Sequence, residues 1–171
     1  MKIIEGMKEL RIIEKKMLRN HGDITKYASL LSTERPLFET EDAQKKEVKS
    51  LIQSNQDLMD NYLDLKQNLE YTNLMTKVEM SGKEYSISEL LVLKRKLAKQ
   101  MMETYSSLND TVARNSLVRR PASKDEKTPE VLRLYREEDR NAGLRKWQDL
   151  YDNIDSRLEV INAMNDIVDI P

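Results

Sequence analysis

The residues best suited to chemistry gather in one connection of the chain. Between Val112 and Pro129 stand Arg114, Arg119, Arg120, Lys124 and Lys127 against only Asp125 and Glu126, a local excess of +3 in a chain whose total is −1. Guanidinium groups fork onto phosphate or carboxylate oxygens. Asn115 and Ser116 add neutral hydrogen-bonding groups suited to a sugar or a base. Pro121 disfavours helix at the residue before it, so Arg119 and Arg120 are expected to converge with Arg114 and Lys124 instead of diverging around a helix. The competing reading is a solvated loop whose arginines pair with glutamates on a neighbouring helix. A connection this long is unusual in a compact helical domain and is often functional or disordered. Tyr71 and Asn73 are further candidates for ligand contact, because an aromatic face can stack on a base.

Other chemistries have little to work with. There is no cysteine, which removes disulfides, thiolate metal sites and cysteine nucleophiles. His21 is the single histidine and sits beside a suspected helix break, where a capping or surface role is the simpler reading. Acidic pairs such as Glu137-Glu138 belong to charged helix faces. Asp155 and Arg157, two positions apart, point to different faces and are expected to pair with a neighbouring helix or subunit. Trp147 lies on an apolar seam, where core packing is the better account. The Ser81-Gly82-Lys83 triplet lacks the glycine-rich frame of a phosphate loop. No nucleophile has an oriented base, so a non-enzymatic role is expected, with no cofactor and no metal.

Composition sets the elements that must hold these groups. Gly and Pro number four each in 171 residues, under half of the roughly 12 % of average proteins. So few turn formers argue against sandwiches, barrels and doubly wound sheets. With 35 % charged and 39 % hydrophobic residues, the chain is neither a membrane span nor depleted enough to be disordered. Near-neutral charge argues against generic nucleic-acid binding. The opening Met1–Gly6 turns amphipathic at once, unlike a secretory signal, and the cytoplasm is the expected compartment.

Spacing then places the helices. Ile3, Leu10, Met17, Ile24 and Leu31 recur every seven residues, keeping one seam toward a partner. Asn20 interrupts that seam. It either fixes register by pairing with another polar group or, with His21 and Gly22, ends or kinks the helix. The break is the preferred reading, because Gly22 weakens helix. Val48, Leu51, Leu58, Tyr62, Leu65 and Leu69 carry a second helix, with Asn55 and Thr72 as its polar members. Val78 to Tyr85 alternates around Ser81-Gly82 and predicts a small hairpin near 78–86. Ser86 and Glu89 have capping-box spacing before a third helix. Thr128 and Pro129 announce a fourth. The expectation is an all-α single domain, residues 1–171, with helices over 2–31, 42–76, 87–112 and 129–168. Its form would be an elongated antiparallel bundle or coiled-coil hairpins.

Three stretches carry a family resemblance. They are Met1-Lys2-Ile3-Ile4-Glu5, then Thr72-Asn73 with the turn at Gly82 and Ser86-Ile87-Ser88-Glu89-Leu90, and finally Ile154-Asp155-Ser156-Arg157-Leu158-Glu159-Val160-Ile161-Asn162. Across nearly the whole chain they resemble the septicolysin-like family of small helical proteins. The resemblance implies a helical fold and brings no enzymatic activity.

Two functions from different classes follow. The first is a homo-oligomeric binding protein that sequesters or senses a small phosphate-bearing ligand, such as a signalling nucleotide, through the 112–129 connection. The second is a structural coiled-coil adaptor or assembly protein without a small-molecule ligand, supported by the seven-residue periodicity.

Overall fold

The computed structural model of the chain describes residues 1–119 and 129–171. Helix accounts for 72 % of them, with one small two-stranded sheet. The elements run α1 (Ile3–Tyr27), α2 (Glu41–Met75), β1 (Lys77–Met80), β2 (Lys83–Ser86) and α3 (Ile87–Val92). A π-helical turn (Leu93–Leu97), α4 (Ala98–Ser106), α5 (Thr111–Val118) and α6 (Glu137–Met164) follow. The fold is all-α with a β-hairpin. The contacts divide the chain into two compact units, Met1–Ser86 with Val160–Pro171 and Ile87–Glu159.

In the first unit α1 and α2 form an antiparallel hairpin. Ile3, Leu10 and Ile13 from α1 and Leu69 from α2 are its buried apolar residues. A Cβ on Gly6 would collide with the Ile167 side chain while meeting Leu65 and Leu69 at ordinary contact distance, so glycine here makes room for the C-terminal segment. The expected break at Asn20 is absent. Helix α1 runs through Gly22 to Tyr27, and Asn20 is only 7 % exposed, donating to Asn55 Oδ1 at 3.0 Å and Ser54 Oγ at 3.2 Å on α2. That polar pairing across the seam offsets the roughly 1 kcal/mol that a helical glycine costs. Helix α1 does not reach residue 31, because Gln44 of α2 takes the Tyr27 carbonyl at 2.8 Å. Thr40 caps α2 by accepting from the Ala43 amide at 3.1 Å.

The hairpin lies where alternation placed it, in register Val78 with Tyr85 and Glu79 with Glu84. Ser81 at φ 54 and Gly82 at φ 75 supply the two left-handed residues of a tight hairpin turn. The chain ends are tied by Ile3 N–H to Asn165 C=O at 3.0 Å and Ile167 N–H to Met1 C=O at 2.8 Å. Lys2 caps the last turn of α6 by donating to the Met164 carbonyl at 2.8 Å. It also pairs with Asp166 at 2.7 Å, which holds that carboxyl below its ordinary range. Thr72, fully buried, accepts from the Val168 amide at 2.8 Å and donates to the Asn68 carbonyl at 2.7 Å. Val168, expected on the last helix, therefore lies beyond its end.

The second unit buries Ile87, Leu90, Ala98, Ile154 and Leu158. A Cβ on Gly143 of α6 would strike the Tyr105 ring of α4, which packs flat against the bare backbone there. Helix α6 starts at Glu137, not at 129. Its first turn, Glu137-Glu138-Asp139, places three acids at the positive end of the helix dipole. The expected cap Thr128 lies outside the described residues, and residues 129–136 are not helical.

Candidate functional site

The connection expected over 112–129 is in part a helix. Asn109 starts α5 by accepting the Thr111 amide at 3.1 Å, and Val112 to Val118 continue it. Arg114 and Arg119, five positions apart, therefore point about 140° from each other around the axis. The convergence expected of a non-helical stretch is not made by these two. Asn115 is exposed on α5, and Arg119 is its exposed C-cap. Arg120 and Lys124 lie outside the described residues. Tyr71 and Asn73 are half-buried near the C-terminal end of α2 in the first unit, whereas Arg114, Asn115 and Arg119 belong to the second.

Arg114 meets a partner that the sequence did not suggest. Its Nε donates to Asp110 Oδ1 at 2.8 Å, one turn earlier. The other carboxylate oxygen, Oδ2, accepts from Arg133 Nε at 3.1 Å and lies 3.0 Å from Nη2 of the same ion pair. Asp110 thus holds two guanidinium groups from separate segments, and its side chain is only 16 % exposed, against 63 % for Arg114 and 47 % for Arg133. The hydrogen bond from Arg114, followed by that from Arg133, holds the Asp110 carboxyl down at about 2 against an ordinary 3.8, although burial pushes the other way. Both guanidinium groups are pushed up by Asp110 in return. Two cations share this one anion, and Glu137 also acts on Arg133. The Arg114 side chain is exposed, and a guanidinium carries donors beyond its Nε that suit a further anion.

A second basic cluster sits at the π turn, where the Ala98 amide bonds back to the Leu93 carbonyl. The extra residue in that turn redirects side chains, and such turns recur at functional sites. Lys94 pairs with Asp155 of α6 and lies 5.2 Å over the Tyr151 ring, with Lys99 at 6.0 Å from the same ring. Asp155 accordingly pairs with a neighbouring helix, as its position on α6 suggested. The sequence signal for this cluster is the run Lys94-Arg95-Lys96, which reads as an ordinary solvated helix face.

The first unit carries an open groove of about 530 Å³ at the α1–α2 turn, lined by Tyr27, Leu30, Gln44, Lys45, Val48 and Lys49 among others. Both ends of the buried Gln44 amide are used, the oxygen accepting from the Leu37 amide at 2.9 Å. Trp147 is half-buried on α6, with Lys146 5.9 Å from its ring. Among the described residues no group of three or more His, Asp or Glu is placed to hold a metal, and no helix is long and apolar enough to cross a membrane.

Comparison of the chain with protein-family models, curated proteins and solved structures finds no match.

Proposed function

We propose that the protein is a non-catalytic, self-associating helical protein that binds a small phosphate-bearing ligand, in the manner of a sponge or sensor for a signalling nucleotide. One observation carries this reading: Asp110 holds Arg114 and Arg133 side by side, in the region where the chain's basic excess also falls. A carboxylate that orients two guanidinium groups lowers the entropy cost of presenting them to an anion. The ligand site is then centred on Arg114 and Arg133, with Asn115 beside Arg114 in sequence on the same short helix; Arg119 points away from Arg114.

Calorimetric titration of a panel of nucleotides against wild type and Arg133→Ala tests it. A charge-assisted contact contributes roughly 1.5–3 kcal/mol, so affinity should fall about tenfold or more. Absence of binding by every phosphorylated compound to the wild type would remove the ligand and leave a structural assembly protein. That second reading is favoured by an apolar stripe on the outer face of α2, where Ile52, Met59 and Leu63 are each about half exposed.

A further inference from the structure

Resting on the self-association proposed above and not on its ligand, we infer that the outer face of α2 is a two-fold interface with a second copy of the chain, the two helices running antiparallel. Helix α2 uses one face against α1, through Leu69 and Asn55, and the same side against the C-terminal segment through Thr72. On a helical wheel anchored at Ile52, Met59 and Leu63 fall within about 20° and Gln56 within about 40°. Leu51, Leu58 and Leu69 of the inner seam lie about 100–120° away. The outer stripe is exposed: Ile52 45 %, Met59 54 % and Leu63 52 %.

The charges select the occupant and the direction. Lys49 and Asp60 fall on one edge of the stripe, about 60° and 80° from Ile52. Among the described residues neither has an ion-pair partner. In a parallel two-fold pair each edge of the stripe faces the opposite edge of the partner, so Lys49 and Asp60, both on one edge, would leave their charges unmatched. An antiparallel copy, with its two-fold axis between Ser54 and Gln56, sets Lys49 against the partner's Asp60 and Asp60 against the partner's Lys49. Within about one residue of that register Ile52 lies against the partner's Met59. A self-complementary patch of this kind is what an isologous interface requires. Toward the ends Lys45 and Lys66 meet as like charges. Each is already paired on its own helix, Lys45 with Glu41 and Asp42, Lys66 with Glu70.

The absence of native cysteine makes the register testable in the full-length protein. Gln56→Cys places a thiol near the axis, opposite its own copy. Leu63→Cys places two thiols about 24 Å apart along the helices, beyond disulfide reach. Mild oxidation of the dilute protein should cross-link the first variant and not the second. In parallel, Lys49→Asp should lower the mass in light scattering to that of one chain, and Asp60→Lys added to it should restore the larger mass. A wild type that is already one chain overturns self-association and this interface together. A wild-type oligomer in which Leu63→Cys cross-links as readily as Gln56→Cys, or neither does, or in which Lys49→Asp leaves the mass unchanged, overturns the interface alone.

Discussion

Asn20 and Asn55 lock α1 to α2 from inside the hydrophobic seam: Asn20 Nδ2 donates to Asn55 Oδ1 at 3.0 Å, and Asn55 Nδ2 reaches back to the Met17 carbonyl at 3.5 Å. Sliding one helix by a turn would strand both amides among apolar side chains. Asn20→Ala leaves Asn55 short of a donor and should destabilise the chain by about 1–3 kcal/mol in urea unfolding. Asn20→Leu with Asn55→Leu should recover most of that loss, since replacing both partners with apolar groups is near neutral. A double variant as unstable as the single one would show that the pair does not act as a unit.

Thr72 joins α2 to the C-terminal segment through one hydroxyl. Thr72→Val keeps the shape and removes the acceptor for the Val168 amide, an expected loss of about 1–3 kcal/mol. Thr72→Ser should retain the bond. Hydrogen exchange at Val168 distinguishes them: faster exchange in Thr72→Val and near-native protection in Thr72→Ser.

Two glycines in helices should respond in opposite senses to alanine. At Gly22 nothing lies within 4 Å of an added Cβ, so Gly22→Ala should stabilise by up to about 1 kcal/mol through helix propensity. Gly143→Ala drives a methyl into the Tyr105 ring, and overpacking of about 1–3 kcal/mol should outweigh the same propensity gain. Thermal melts of the two variants should move apart, upward for Gly22→Ala and downward for Gly143→Ala.

The Asp110 cluster sets a pH window. Its folded-state carboxyl titrates near 2, below the ordinary 3.8, so its contribution to stability is fully present above the ordinary value and fades as pH falls toward 2. Carboxyl NMR should place the Asp110 midpoint near 2 in the native protein. Arg133→Ala should raise it. A native midpoint near 3.8 would mean that the two arginines do not hold it in solution.

The seams were legible where a helix runs on, because burial follows period; Leu31 and Val112, read on two of them, lie beyond breaks in those helices and are 66 % and 80 % exposed. Ile3, Leu10 and Ile13 read as core and are core, and the hairpin followed from alternation around Ser81-Gly82. The continuity of α1 was not legible, since Gly22 weakens helix locally while the bonds that overrule it come from Ser54 and Asn55 on another helix. Nor was the candidate site fully legible. Arg114 stood out by composition, but its neighbours Asp110 and Arg133 are 23 positions apart in sequence, and Arg133 lies in a stretch whose pattern reads as the start of the last helix. The π turn was not legible either: its extra residue shifts the phase of the helix by about 100°, so Ala98 is buried where the spacing pointed to Leu97, which is 42 % exposed.

A native mass spectrum of the protein purified gently from cells tests the proposed function most directly. The expected mass is a multiple of the 20.1 kDa chain, carrying a small molecule that is released on activation and contains phosphate. A bare single chain with no bound small molecule, at micromolar concentration, would contradict it.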